Sequence, residues 1–296
     1  MKISKKYRKD HIFWGWIFIF PTLIGLLFLN IFPAIQTVYL SFHKSAGFGK
    51  TKWAGLSNYK KILSDGEVFQ SLLNTLKYAG VSIPLIIIFS LFFAVLLNNK
   101  IKGLSFYRTL YFMPVVATPS AVAMIWKWMF NSNFGIINNL LAKIGITGPT
   151  WLSDPNVAIY SVIIVGVWSA IGYNMVLLLA GLQEIPKSYY EAADIDGGNA
   201  WKKFKHITLP LVTPSLFFVV VTTVISSFQV FDSIFMMIPE YSEAMIKTQS
   251  LAYLFYKYSF MLNDKGYGAA IVVVLLVIIL CVTFVQLKLQ KKWVNY

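Results

Sequence analysis

A chain of 296 residues with 57% hydrophobic and 13% charged residues lies far from a soluble domain, in which about a quarter of residues are charged. It reads as an all-α membrane protein with little room for a separate soluble domain. The formal net charge of +14 invites a nucleic-acid reading, but the basic residues form short clusters beside apolar runs. That placement suits anionic lipid headgroups and topology setting, so membrane lipid is the expected partner and nucleic acid is not. The single cysteine, Cys281, excludes an intrachain disulfide, and His11, His43 and His206 lack metal-ligand spacing, so no metal site is expected.

Residues 1–13 form a basic N-terminus that mimics the start of a signal peptide. The apolar stretch behind it is too long and lacks a small-residue cleavage site, which predicts an uncleaved first span. Six runs are long enough to cross about 30 Å of hydrocarbon. They lie near Trp14–Leu40, Thr75–Leu97, Thr109–Phe130, Ala158–Leu182, Leu211–Phe231 and Gly268–Leu289, within a membrane domain of residues 14–290 that is followed by a short tail, 291–296. Prolines at 21, 33, 84, 114 and 119 predict bends, as packing kinks or as hinges. With the N-terminus inside, the inner segments hold fifteen Lys and Arg in about sixty residues, against nine in the longer outer segments. Both termini and the loop at about 183–210 are therefore expected in the cytoplasm. Gly49-Lys50-Thr51 lacks the glycine that a phosphate loop needs five residues earlier, where Lys44 stands. The chain itself is not expected to bind ATP.

Polar groups inside apolar runs mark candidate pathways. In the fourth run Trp168, Ser169, Tyr173 and Asn174 form a mixed band, and at the end of the fifth Phe228, Gln229 and Asp232 cluster beside Phe231. Hydroxyls and amides alternating with rings suit a sugar, whose hydroxyls need hydrogen bonds and whose C–H faces stack on aromatics. Hydrogen bonding between helices uses the same residue types and stays open as an alternative. Lys127, between Trp126 and Trp128, fits a side chain that snorkels to the headgroups. Gly166-x-x-x-Ala170 suits close helix approach.

Between the fourth and fifth runs lies a polar island. Ser188 and Glu191 have the spacing of a capping box, Gly197-Gly198 predicts a helix stop, and Asn199 a second N-cap. Trp201, Phe204 and Ile207 recur every three residues before Pro210, which is expected to end that second helix. Glu191-Ala192-Ala193, Asp196-Gly197 and Ile207-x-Leu209-Pro210 together resemble the EAA loop of ABC-importer permeases. Beyond the loop, Phe32-Pro33-Ala34, Asn58-Tyr59, Asn74-Thr75, Tyr107-Arg108-Thr109, Phe112-Met113-Pro114 and Ile125-Trp126-Lys127-Trp128 are similar to carbohydrate permeases of the maltose, multiple-sugar and glycerol-phosphate type. The order of landmarks resembles the first of the two permeases such systems encode.

The resemblance implies six transmembrane helices with a cytoplasmic helical-hairpin coupling loop between the fourth and fifth. It implies a bacterial cell-membrane subunit without catalytic residues, in a heterodimer with a second permease. Two copies of a cytoplasmic ATPase would hold ATP and Mg, and an extracytoplasmic solute-binding protein would deliver the solute. Glu191, Ala192, Ala193, Asp196, Gly197, Ile207, Leu209 and Pro210 carry over as the ATPase-coupling residues. One departure stands out: Met236-Met237-Ile238-Pro239 replaces the Gly-Gly-Pro turn that usually follows the fifth span. An ion-driven secondary transporter is the rival reading, but it needs ionisable groups at mid-membrane, and Asp232 sits near a span end. A permease for a non-sugar solute such as glycerol phosphate is the second alternative.

Overall fold

The computed structural model describes residues 5–45, 51–99 and 102–293. Gly49 and Lys50 of the discounted phosphate loop, and parts of both termini, lie outside them. Of the described residues 78% are helical, and the chain forms two units, residues 1–63 with 257–273 and residues 64–256 with 274–296.

In the first unit, α1 (Lys5–Leu26) passes through a π turn at Leu27–Ile31 into α2 (Phe32–Ser41). Pro21 sits inside α1 and Pro33 in the first turn of α2, so neither ends the span Phe13–Ser41. None of that span's apolar window is buried within the chain. A short antiparallel hairpin follows, β1 (His43–Ser45) with β2 (Thr51–Trp53), in the register His43 to Trp53. It is the one departure from the expected all-α fold among the described residues. Trp53 stacks on Phe42 at 5.7 Å and meets His43 edge-on, and the buried Asn58 amide of α3 (Ser57–Ser64) donates to the Ser41 and His43 carbonyls, both at 2.8 Å. Thr and Trp favour strands, and these side chains tie down the hairpin's open end.

The second unit is built around α4 (Gly66–Leu97) and α8 (Ala158–Gln183), which pack chiefly on each other. Asp65 caps α4 by accepting from the Glu67 amide at 2.9 Å, so the helix starts nine residues before the expected Thr75. Pro84 leaves α4 continuous.

The third expected span, Thr109–Phe130, is instead two helices. These are α5 (Leu104–Val116) and α6 (Pro119–Met129), bent by 101°. Proline forces the residue before it out of the helical region, and Thr118 is extended and caps α6 with its hydroxyl. Pro114, by contrast, stays inside α5. After α7 (Ile136–Lys143) and α8 come α9 (Lys187–Ile195), α10 (Ala200–Lys203), a π turn at Phe204–Thr208 and α11 (Leu209–Leu211). A 68° bend at Val212 leads into α12 (Thr213–Phe228), which stops three residues short of the expected Phe231. Pro210 lies within α11, one residue before the helix that began at Ala200 ends at Leu211, close to the expected end. Three short helices, α13 (Asp232–Met237), α14 (Glu243–Ile246) and α15 (Leu251–Tyr256), precede the long α16 (Lys265–Trp293). Among the described residues four helices are long and apolar enough to cross a membrane, and up to six spans result if each bent pair is one.

Candidate coupling hairpin and solute cavity

The hairpin α9–α11 is rooted in the second unit's core. Leu178, Leu182, Ile185 and Val212 form a buried cluster, and Tyr190 and Ile207 pack against it from the two arms. The Tyr190 hydroxyl lies 3.0 Å from Thr208 Oγ1, a second tie between the arms. Asp194 and Lys203 make an ion pair between α9 and α10.

The turn follows from its glycines. Gly197 has φ +70°, and the Gly198 and Gly197 amides donate to the Ala193 and Asp194 carbonyls at 2.7 and 3.1 Å. That is the Schellman ending, in which a left-handed residue lets the last carbonyls of a helix find donors. Asn199 then caps α10, accepting from the Lys202 amide at 2.9 Å.

The expected capping box at Ser188 and Glu191 is absent. The N-cap is Pro186, and no side chain caps α9. A proline N-cap has no amide for a glutamate to reach, and Ser188 is already in the first turn. Glu191 is therefore an exposed mid-helix carboxylate.

Ala192, Asp196 and Gly197 are also exposed, while Ala193, Leu209 and Pro210 are half-buried. Trp201 stacks on Phe204 at 5.7 Å yet remains 68% exposed, and Ile195 is 88% exposed. The hairpin thus presents an apolar tip beside exposed acids.

Farther along α8, a cavity of about 400 Å³ opens between α4, α5, α6, α8 and the break after α12. Of the six candidate pathway residues, Tyr173, Gln229 and Asp232 line it, with Ser169, Ser226, Ser233 and Phe231. Trp168 instead lines a separate apolar cavity of about 650 Å³ with Phe89 and Met113. Asn174 and Phe228 are buried and line neither.

Sequence reading missed Tyr78, whose side chain crosses from α4 to the cavity. A β-carbon at Gly166 would overlap its hydroxyl, so the small-residue pattern Gly166-x-x-x-Ala170 makes room for a phenol as well as for a helix. On the cavity's far side Phe231 stacks on Phe235 at 5.3 Å and meets Tyr256 at 5.2 Å. Nearby, burial and then the Glu240 carboxylate push the Tyr253 hydroxyl up to about 12, which keeps it protonated. Lys127, expected to reach headgroups, donates to the Met236 carbonyl at 3.1 Å and so satisfies a helix end. Among the described residues no three His, Cys, Asp or Glu side chains cluster closely enough to hold a metal ion.

Comparison with known proteins places this geometry. The family model described as "Binding-protein-dependent transport system inner membrane component" matches residues 53–295. The chain is 37% identical to the probable ABC transporter permease protein YesP of Bacillus subtilis, over 100% of this chain and 96% of that one. It is 34% identical to the trehalose/maltose transport system permease protein MalF of Thermococcus litoralis, over 97% and 96%. A chain of a bacterial ABC transporter involved in the import of the acidic polysaccharide alginate shares the fold, with a TM-score of 0.86 at 19% identity over 98% of this chain and 99% of that one. A chain of a bacterial alginate ABC transporter in complex with an alginate pentasaccharide-bound periplasmic protein shares the fold as well, with a TM-score of 0.86 at 18% identity over 99% of this chain and 98% of that one. The helical core, the hairpin rooted in it and the match over 53–295 agree: this chain belongs to the inner-membrane components of binding-protein-dependent transport systems.

Proposed function

We propose that this chain is the permease subunit of an ATP-driven importer for a neutral sugar or oligosaccharide. It crosses the membrane six times, each bent pair counting as one span, with both termini and the loop 183–210 in the cytoplasm. Its membrane domain covers 14–290, between a basic N-terminus, 1–13, and a short tail, 291–296. An extracytoplasmic binding protein hands over the solute, a second permease completes the pathway, and two cytoplasmic ATPase copies carry the ATP and Mg. The observation that carries the solute class is the meeting of Tyr173, Gln229 and Asp232 in one cavity, with serine hydroxyls and Phe231 beside them. Its size is in the range of small-molecule sites, about 300–1,000 Å³. No Lys or Arg is among the lining residues, which favours a neutral sugar over glycerol phosphate or an acidic polysaccharide, both of which call for cationic partners. The trehalose/maltose permease named above points the same way.

The energy enters at the hairpin. Glu191, Ala192, Ala193, Asp196 and Gly197 form the face offered to an ATPase groove, and Ile207, Leu209 and Pro210 hold the return arm. Nucleotide-driven closure of the ATPase pair moves the hairpin, and its root on Leu182, Ile185 and Val212 passes that motion to α8 and α12.

Topology is tested with single cysteines in a Cys281→Ser chain. Ser188→Cys is expected to react with a membrane-impermeant maleimide only from the cytoplasm and Lys52→Cys only from outside; labelling from one side would defeat the six-span arrangement. The division of labour is tested by reconstitution. The purified chain in lipid is expected to hydrolyse no ATP, and uptake to need both the ATPase and the binding protein. Hydrolysis by the chain alone would remove the assignment. Because Glu191 caps nothing, Glu191→Gln and Glu191→Ala should impair ATPase association equally, whereas a silent Gln would mean that its charge has no partner.

A further inference from the structure

Between α12 and α13 the chain leaves the helix for three residues. Gln229, Val230 and Phe231 are non-helical, so their backbone groups need partners from outside the helix. One comes from far along the chain. The Ser250 hydroxyl, 1% exposed, donates to the Val230 carbonyl at 2.5 Å, and its oxygen accepts from the Tyr253 amide at 3.1 Å, capping α15. The same short segment is held on its other side by α4. Asn74 Nδ2 donates to the Ile246 and Gln249 carbonyls, both at 3.0 Å, and Thr75 Oγ1 accepts from the Leu251 amide at 3.1 Å. Gln249 Nε2 donates to Glu67 at 3.2 Å. Asn74, Thr75, Gln249 and Ser250 are all buried.

We infer that residues 248–251 are a brace that fixes the cavity-lining break Gln229–Asp232 to α4, with Ser250 as the positioning residue. Buried hydrogen bonds of this kind resist loss because each orphaned partner stays dry. The brace joins the cavity's two flanks: Tyr78 comes from α4 itself, and Gln229 and Asp232 come from the break that α4 holds through Ser250. The spacing between the two flanks is therefore set outside the cavity, by groups that do not line it. The inference takes its functional weight from the solute reading above, but its test does not depend on that reading.

In the assembled transporter in its native membrane, with Cys281→Ser, Ser233→Cys reports the braced wall and Ser169→Cys the α8 wall of the same cavity. A small water-soluble maleimide is the probe. Ser250→Ala is expected to speed labelling at position 233 about fivefold, as the loss of one net hydrogen bond implies, and to leave position 169 unchanged. Thr75→Val, which keeps shape and removes the α4 bond to the Leu251 amide while leaving those of Asn74, is expected to act in the same direction and carries the test alone if Ser250→Ala does not accumulate. Unchanged labelling at 233, or equal acceleration at 233 and 169, overturns the brace. The solute reading fails separately, if Asp232→Ala and Tyr173→Phe leave uptake intact while the labelling pattern holds.

Discussion

Gly197→Val is expected to leave the chain inserted and paired with its partner permease while ATPase association and transport fall at least about tenfold. Nothing lies within 4 Å of a β-carbon built at Gly197, so space is not the obstacle. The backbone is: at φ +70° a β-branched residue is strained, by about 1–2 kcal/mol or more. That strain shifts the hairpin's folded-to-unfolded ratio by about five- to thirtyfold. If the residue escapes to negative φ, the Gly198 bond to Ala193 breaks, and α10 swings with Trp201 and Phe204 away from the Ala192–Ala193 face. Gly197→Asp should be milder in strain, because aspartate tolerates the left-handed region better. It still sets a third carboxylate beside Asp194 and Asp196 at the negative end of α9. Co-purification of the ATPase with each variant, at matched permease levels, checks the ranking. Normal transport by Gly197→Val would mean that this hairpin is not where the ATPase couples.

Gly172→Val is expected to have the larger effect on the fold and to abolish accumulation of the chain. A β-carbon at Gly172 would run into the Tyr111 carbonyl, a main-chain atom of α5. Main chain cannot swing aside as a side chain does, so α5 and α8 must separate, and overpacking of this kind costs several kcal/mol. Gly166→Ala offers the contrast. There the obstacle is the Tyr78 hydroxyl, which can rotate away, so the protein should accumulate while uptake falls. Gly80→Ala, on α4 with nothing within 4 Å, should be neutral or slightly stabilising. Immunoblotting of membranes sets Gly172→Val apart from the other two, and uptake separates Gly166→Ala from Gly80→Ala; normal accumulation of Gly172→Val would contradict the close contact of α5 with α8.

How much of this was legible depended on whether a signal was local. Gly197 and Asn199 announced the turn and the second cap because both act within four residues of chain. The α8 span was legible from apolar length alone. The start of α9 was misread because a serine–glutamate spacing looks like a capping box whether or not a proline two residues upstream takes the cap. Pro114 and Pro119 looked alike in sequence. Only Pro119 breaks the chain, since Thr118 is there to cap the helix that follows. The cavity was half legible: Tyr173, Gln229 and Asp232 meet in it, and Trp168 and Asn174 do not, because a polar band on a helix does not reveal which side its neighbours take. Asn74-Thr75 stood out only as a landmark of the resemblance, and its bonds, like those of Ser250, were beyond reach, since they join residues more than 170 positions apart on one side and 20 on the other.

The 101° corner between α5 and α6 has a consequence for how such a transporter changes its diet. The last four carbonyls of a helix have no partner within it, and Pro114 and Val115, in the last turn of α5, border the cavity with Ala117 just beyond it. Acceptors of that kind belong to the main chain, so no single side-chain replacement deletes them. If the solute sits in this cavity, as proposed above, recognition divides into a part that mutation barely touches and a part, at Tyr173, Gln229 and Asp232, that a few codon changes rewrite. Affinity for hydroxyl-rich solutes in general could persist while the preferred one is exchanged, and drift from one carbohydrate to another need not pass through a transporter that carries nothing.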